Sequence, residues 1–159
     1  MQKNWFGSFV GVVSVAPILF IIGLALSIGL NILIPFKIFH AVIVQNVFLG
    51  IGAFLVFLGT AISFWAQRII GKNIHTNSSP KLGELMQGPY KYSRHPASLA
   101  LGIIYWGLAL AINSVVMALL AILFWSMMTM WFAPREEQFM IESCGQVYRD
   151  YQAKVRMWF

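Results

Sequence analysis

The chain has 159 residues, of which 59% are apolar and only 10% are charged, with a formal net charge of +6. A soluble domain has about a quarter of its residues charged, so this composition excludes one and indicates a polytopic membrane protein of the all-α class. In a membrane protein, a basic excess is typical of Lys and Arg gathered on one side of the bilayer, and we expect no nucleic-acid partner. The single cysteine, Cys144, excludes an internal disulfide and a Cys-rich metal site.

Four apolar segments are each suited to crossing a bilayer, which takes ~20 mostly apolar residues. Arg68 stops the second segment, and Asn113-Ser114 separates the third from the fourth by so tight a turn that the two form a helical hairpin. We therefore predict about four transmembrane helices in a single domain covering residues 1–159. The predicted spans are roughly residues 8–32, 42–66, 97–112 and 115–133.

Two polar segments flank the hairpin. Residues 68–96 are rich in Gly, Pro, Ser and Asn and show no helical stripe, and loops of this length are usually functional. Residues 135–156 are charged, with apolar residues at three- and four-residue steps, which predicts an amphipathic C-terminal helix with Cys144 facing the core. Because the two ends of a hairpin return to the same surface, we expect both segments to contribute to one site. The recurring apolar residues are Phe139, Met140, Cys144, Val147, Tyr148, Tyr151 and Val155.

The positions of the charges predict the orientation. If the loop before the hairpin is cytoplasmic, both termini are cytoplasmic too, and ten of the eleven basic residues lie inside with only Lys37 outside. All five acidic residues fall on the same side. We expect an integral protein of a prokaryotic plasma membrane, with its polar chemistry concentrated on the cytoplasmic face. The basic residues placed inside are Lys3, Arg68, Lys72, Lys81, Lys91, Arg94, Arg135, Arg149, Lys154 and Arg156.

The segment "GPYKYSRHP" carries the first candidate residues. Pro96 sets His95 at the first turn of a helix, where free backbone N–H groups favour a carboxylate or phosphate. A lone histidine beside a helix start is more often structural than catalytic, and an interfacial belt of Tyr, Lys and Arg is the rival reading. That belt accounts for Lys91 and Tyr92 but poorly for the ordered series Gly-Pro-Tyr and Arg-His-Pro.

Glu136 and Glu137 are the second candidates, because carboxylates just past a span are costly to place near lipid and are usually functional. A solvated helix start is the alternative. Since adjacent residues point in different directions on a helix, we expect at most one of the two to face the site, while the other meets solvent or a base such as Arg135. The three histidines are scattered, so we expect no metal site.

Taken in order, "GPYKYSRHP", an apolar hairpin, "EEQFM", "CGQVYRDY" and "KVRMWF" resemble the isoprenylcysteine carboxyl methyltransferase family, whose superfamily includes phospholipid methyltransferases. The resemblance covers residues 82–156 and implies a membrane enzyme that binds S-adenosylmethionine in a cytoplasmic pocket without a Rossmann fold. It implies an amphiphilic, lipid-like or prenylated substrate that enters from the bilayer, and no obligate protein partner. The cofactor-binding residues that it implies are Glu84, Leu85, Tyr90, His95, Pro96, Ala97, Ser98 and Glu136.

The catalytic assignments are less direct. Arg94 is the natural partner for an acidic group of cofactor or substrate, and His95 or Glu137 could assist a nucleophile that arrives protonated. Three positions depart from the family pattern. Ser98 replaces a tyrosine, and Phe132 replaces an arginine that contacts the substrate carboxylate in prenylcysteine enzymes. The family's Val-Pro near the end is Val155-Arg156 here. An NADPH-dependent reductase of the sterol type and a non-catalytic membrane scaffold remain alternatives.

Overall fold

The computed structural model describes residues 15–73 and 82–158. Within these ranges the regular structure is helical, apart from one isolated backbone bridge between Lys37 and Ser114. The all-α prediction is therefore confirmed. The helices are α1 (Val15–Leu33), α2 (Val42–Asn73), α3 (Leu82–Leu85), a 3₁₀ turn (Gly88–Lys91), α4 (Pro96–Ile112), α5 (Val115–Met127), a π-helical turn (Met128–Phe132), α6 (Ala133–Cys144) and α7 (Gln146–Lys154).

Among the described residues, three stretches of helix are long and apolar enough to cross a membrane: Ala16–Leu33, Val42–Ile69 and Val115–Cys144. The helix Pro96–Ile112 is also apolar but has only 17 residues. The membrane class predicted from composition is thus confirmed, and the count of four spans stays a prediction. Residues 8–14 of the first predicted span lie outside the described part of the chain.

The second span is longer than predicted. Arg68 does not end α2, which continues to Asn73, and the Arg68 guanidinium lies 4.4 Å from the centroid of the Phe64 ring. A long basic side chain can lie along an apolar surface and carry its charge to the headgroup region while its backbone stays helical. The predicted loop 68–96 therefore begins as helix, and its described remainder includes two further short helical turns.

The tail differs more strongly from the predicted single helix 135–156. Pro134 lacks an N–H, and its ring crowds the carbonyl four residues earlier, so a regular α-helix cannot pass through it undisturbed. The wider π turn at Met128–Phe132 precedes it, and helix continues from Val115 to Cys144. The break comes instead at Gly145, whose φ of +58° is readily adopted by glycine. The tail is consequently two helices, the first continuous with the hairpin.

Helices α2 and α4 approach until their backbones touch. A Cβ added at Gly52 would lie 2.6 Å from the Ala111 nitrogen, and one added at Gly107 would lie 2.8 Å from the Gly52 carbonyl oxygen. Two turns further along α2, a Cβ at Gly59 would lie 2.8 Å from the Ala100 carbonyl oxygen. Apolar burial contributes little to helix association in lipid, so close packing of small residues becomes the main attraction. This line of close contacts at Gly52, Gly59 and Gly107, the α2–α4 seam, holds α4 and the residues at its start against α2.

Helix α1 packs against the hairpin around Tyr105, which is fully buried in α4. The Tyr105 hydroxyl is hydrogen-bonded to the Ser27 hydroxyl of α1, and Phe20 meets the Tyr105 ring edge-on at 5.7 Å. Ala121, Phe124 and Met128 complete this cluster from the returning arm of the hairpin. Three helices therefore share one apolar core.

The hairpin turn is pinned to the connection between α1 and α2. Asn113 adopts a left-handed φ of 57°, and its side-chain amide accepts a hydrogen bond from the Phe39 N–H (2.9 Å) and donates one to the Phe39 carbonyl oxygen (2.8 Å). Ser114 caps α5 by accepting from the Met117 N–H at 3.2 Å. Lys37 lies at this end of the bundle, beside Ser114. The opposite end is left for the polar segments.

The α2–α4 seam gives a direct test. Gly52→Ala forces the two backbones apart, and we expect it to lower the stability of the bundle by ~1–3 kcal/mol, as overpacking does in other cores. Gly50→Ala is the matched control, since a Cβ there meets nothing within 4 Å. Thermal unfolding of the detergent-purified protein, followed by circular dichroism, measures both. Equal melting temperatures for the two variants would contradict the close approach.

Candidate active site

His95 is held at the start of α4. It occupies the N-cap position of that helix, with Pro96 in the first helical position. The Ser93 hydroxyl accepts a hydrogen bond from the His95 N–H at 3.3 Å, and the His95 carbonyl accepts from the Leu99 N–H at 3.0 Å. Only 4% of His95 is exposed. The "SRHP" sequence therefore fixes the ring inside the protein, at the end opposite the hairpin turn.

The His95 ring bridges two carboxylates from the other arm of the hairpin. Its Nδ1 lies 3.1 Å from the Glu136 Oε2, and its Nε2 lies 3.1 Å from the Glu137 Oε1. The predicted meeting of the loop and the tail is confirmed by these contacts.

The expectation that at most one of Glu136 and Glu137 would face the site was wrong. Neighbouring side chains diverge by ~100° around a helix axis, but an imidazole presents a nitrogen on each of two edges. A single ring lying over the first turn of α6 therefore meets both carboxylates. Arg135, considered as a partner for one of them, is exposed and lies over the Trp131 ring at 4.6 Å.

Glu137 is the more buried of the two acids and has further partners. Its side chain is 10% exposed, against 27% for Glu136. The Arg94 Nε lies 3.2 Å from its Oε1 in an ion pair, and the Gln152 Nε2 donates to its Oε2 at 2.8 Å. Sequence reasoning missed Gln152. The available signal was its position four residues after Tyr148, which places a polar side chain on the apolar face of the tail helix.

Electrostatics favour a charged ring. Burial alone lowers the pKa of His95, but the hydrogen bonds and charges of Glu136 and Glu137 outweigh it and raise the pKa to about 9. His95 is therefore an imidazolium at neutral pH and donates both of its N–H groups. With Arg94, the cluster contains two positive and two negative groups, which is the balance that a buried ionic network requires.

The end of the chain closes over this cluster. The Arg94 N–H donates to the Arg156 carbonyl at 3.1 Å, and the Ser93 hydroxyl donates to the Met157 carbonyl at 3.0 Å. Trp158 then packs with its ring 5.7 Å from that of His95 and 4.6 Å from that of Trp125. The terminal segment, which carried no predicted role, is part of the wall of the site.

The tail also forms an apolar base beside the cluster. The predicted recurring positions are largely confirmed, because the buried residues of this base come from that set, and Cys144 is among them. Leu85 packs against it from the loop, and Phe139 lies at its edge. The buried members are Met140, Cys144, Tyr148, Tyr151 and Val155.

Tyr90 is joined to the tail through its backbone. The Tyr151 hydroxyl donates to the Tyr90 carbonyl at 2.7 Å. Burial raises the pKa of the Tyr90 phenol, and the negative charge of Glu136 acts in the same direction, so the phenol stays neutral. Tyr90 thus offers a hydroxyl in the neighbourhood of the Glu136 carboxylate.

The other residues implied by the resemblance lie on the same two segments. Pro96 is buried, and Ala97 and Ser98 are half-buried in the first turn of α4. The side chain of Glu84 lies outside the described part of the structure. Within residues 15–73 and 82–158, no three His, Cys, Asp or Glu side chains are arranged to hold a metal ion.

Comparison with known families adds an independent observation. The phospholipid methyltransferase family model matches residues 47–147, well over half of the chain. The chain belongs to the phospholipid methyltransferase family. The match covers α2 as well as the hairpin and α6, so the resemblance seen in the motifs extends further towards the N-terminus than those motifs indicated. No curated protein and no solved structure shows significant similarity to the chain.

Family membership makes this an integral membrane protein of a methyltransferase family, and members of that family use S-adenosylmethionine. The residues present fit such a group. Glu136 has one oxygen bound to His95, and no bond from a described residue reaches its Oε1. A half-exposed carboxylate of this kind can accept hydrogen bonds from ribose hydroxyls or from an amino group.

The charged state of His95 predicts a pH dependence of stability. The folded pKa of about 9 lies above the ordinary value of 6.5. The contribution of His95 to stability is therefore complete below pH ~6.5 and is lost as the pH rises through about 9. Thermal unfolding between pH 6 and pH 10 should show this loss in the unsubstituted protein.

Other groups also titrate in this range, so the comparison is with variants. His95→Gln should lose less stability than the unsubstituted protein over the same interval, whereas His40→Gln, at an exposed position, should follow the unsubstituted protein. Parallel pH profiles for all three proteins would show that His95 is not held as an imidazolium.

Proposed function

We propose that the protein transfers a methyl group from S-adenosylmethionine to an amphiphilic, membrane-embedded acceptor at the cytoplasmic face. The observation that carries the proposal is the His95 ring fixed between Glu136 and Glu137, at one end of an apolar bundle in a chain of this family. In the sequence, ten of the eleven basic residues fall on the segments predicted to be cytoplasmic, which supports a cytoplasmic orientation for the site and for both termini.

Methyl transfer from a sulfonium requires alignment of the acceptor with the methyl group more than it requires proton transfer. When bound, S-adenosylmethionine supplies a methyl group that its sulfonium already activates. The protein has to hold the acceptor in line with that carbon at ~3–3.5 Å and to keep water away. Glu136 and the Tyr90 hydroxyl would hold polar groups of the cofactor, while Trp158 and the first turn of α4 would exclude water.

In this proposal His95 binds the carboxylates of Glu136 and Glu137 and does not act as a general base. An imidazolium that donates both N–H groups has no lone pair with which to accept a proton. Its two N–H groups instead hold the Glu136 and Glu137 carboxylates in place inside an otherwise apolar wall. The assignment of Arg94, His95 and Glu137 as catalytic stays a prediction, and the geometry favours positioning for all three.

Two features of this chain bear on the acceptor. Phe132, where prenylcysteine enzymes of the related family carry an arginine, packs with the apolar cluster around Tyr105. Arg135, the nearest base in sequence, is engaged with Trp131 on the exterior. Phe132 is uncharged and Arg135 lies over Trp131, so neither offers a cation to a substrate carboxylate, which supports a lipid amine over a prenylcysteine. The amine would attack in its neutral form, after its proton has gone to water, because the imidazolium of His95 has no lone pair to accept it. Membrane lipids are then both solvent and source of substrate.

Binding of the cofactor product is the first test. Calorimetric titration of the detergent-purified protein with S-adenosylhomocysteine should show micromolar affinity. Glu136→Ala and His95→Ala should lose it, because one removes the open carboxylate and the other removes the cation that holds it. Glu142→Ala is the matched control, since this exposed acid on α6 is bonded only to Gln138 among the described residues.

Failure of the unsubstituted protein to bind S-adenosylhomocysteine would overturn the proposed function. NADPH would then be titrated in its place, and binding would identify the protein as a reductase. Absence of both would favour a scaffold.

The acceptor class is tested with methyl-labelled S-adenosylmethionine. Phosphatidylethanolamine vesicles are compared as methyl acceptor with phosphoethanolamine, their water-soluble head group. A farnesylated cysteine is compared in the same way with free cysteine. We expect label in the phospholipid, little in the farnesylated cysteine and none in the soluble heads, because only an amphiphile reaches the site from the bilayer. Equal labelling of a lipid and its soluble head would contradict lateral entry.

A further inference from the structure

The C-terminal helix α7 makes one polar contact into the buried network. The Gln152 Nε2 donates to the Glu137 Oε2 at 2.8 Å, while the other oxygen of Glu137 faces the His95 Nε2 at 3.1 Å and the Arg94 Nε at 3.2 Å. Glu137 is 8% exposed. One oxygen of Glu137 is therefore bound by α7, and the other faces residues of the loop.

We propose that Gln152 is a positioning residue for the cofactor site, acting through Glu137 and His95 to fix the orientation of Glu136. The sequence of contacts is short. Gln152 sets the rotation of the Glu137 carboxylate, that carboxylate sets the plane of the imidazole, and the imidazole binds the Glu136 Oε2 at 3.1 Å. The other Glu136 oxygen is thereby aimed in one direction. This role rests on the proposed function, since it assumes that Glu136 holds the cofactor.

An amide is the suitable group at this position. Glu137 already faces two cations, Arg94 and His95, and the neighbouring Tyr148 phenol of α7 is neutral because burial raises its pKa. A third cation would leave the network with excess positive charge in a poorly hydrated place, and an acid would repel Glu137. The amide of Gln152 donates a hydrogen bond without changing the charge balance.

Removal of the amide has a defined consequence. In Gln152→Ala the Glu137 Oε2 keeps no hydrogen bond from a described residue, and a buried oxygen without a partner carries its full cost of desolvation. The carboxylate is then expected to rotate towards water, which withdraws Oε1 from His95. Glu136 stays in the protein but loses its fixed orientation.

The experiment compares four proteins by calorimetric titration with S-adenosylhomocysteine. Gln152→Ala should weaken binding by about tenfold, the effect of losing one hydrogen bond to a charged group. Gln146→Ala is the control on the same helix, because Gln146 donates to the exposed Asp150 at 2.8 Å and touches nothing in the network. It should bind as the unsubstituted protein does.

Gln152→Glu separates positioning from simple packing. The new side chain has the same size, and it donates to Glu137 only while it is protonated. The affinity of Gln152→Glu for S-adenosylhomocysteine, divided by that of the unsubstituted protein, should be near one at pH 5. This ratio should fall by tenfold or more by pH 8, because the new carboxyl ionises beside Glu137. A residue that only filled space would give a ratio independent of pH.

A second readout needs no cofactor. In protein labelled at histidine, the NMR titration of His95 should move to lower pH in Gln152→Ala, because the ring loses the hydrogen bond of one carboxylate, while Gln146→Ala leaves it unchanged. An unaltered His95 titration together with unaltered affinity in Gln152→Ala overturns the positioning role alone. No binding by the unsubstituted protein overturns the proposed function, and this role with it.

Discussion

The site depends on one buried imidazolium held between two carboxylates. His95 comes from the loop before the hairpin, and Glu136 and Glu137 come from the helix after it, so this ring is the charge that ties the two polar segments together. Breaking a buried ion pair by removing one partner costs ~3–5 kcal/mol, because the other charge stays behind without compensation. The Arg94–Glu137 ion pair and the Tyr151–Tyr90 hydrogen bond also join loop and tail, but His95 is the residue that joins both carboxylates to the loop.

The apolar part of the fold makes this arrangement possible. Contact between Gly52 and Gly107 fixes α4 against α2. The turn at Asn113 fixes the point at which the chain reverses direction and α5 begins. The π turn before Pro134 then lets one continuous helix carry Glu136 and Glu137 to the level of His95. The polar cluster is small, but three separate features of the hydrophobic helices determine where its members meet.

Much of this could be predicted from the sequence, and the successes share a cause. Apolar length and the three- and four-residue spacing of Met140, Cys144, Tyr148 and Tyr151 report a buried helical face, which is a local property, and that face is kept across the break at Gly145. The pairing of loop and tail followed from hairpin topology.

The features that the sequence did not predict are of two kinds. Some are contacts between distant segments, and others are places where a charged residue or a proline does not end a helix. Arg68 was treated as a stop because charge was weighed without the length of its side chain. The helix that passes through Pro134 was predicted as two separate segments, residues 115–133 and 135–156, because a π turn leaves no mark in composition. Gln152 and Trp158 have roles only through partners far away in sequence, and one sequence without its relatives carries no record of such pairs.

The same cluster explains why the candidate site and residues 155–158 belong to one structural unit. The carbonyls of Arg156 and Met157 accept hydrogen bonds from the Arg94 backbone N–H and the Ser93 hydroxyl. Trp158 packs against the His95 ring, and α7 supplies the hydrogen bond to Glu137. In a water-soluble enzyme such a cluster would be surrounded by a folded domain. Here lipid surrounds the helices and offers no hydrogen bonds, so the chain has to satisfy its own buried charges with the few polar residues it has. The short tail does this, and a small membrane bundle thereby holds four ionised groups at one end.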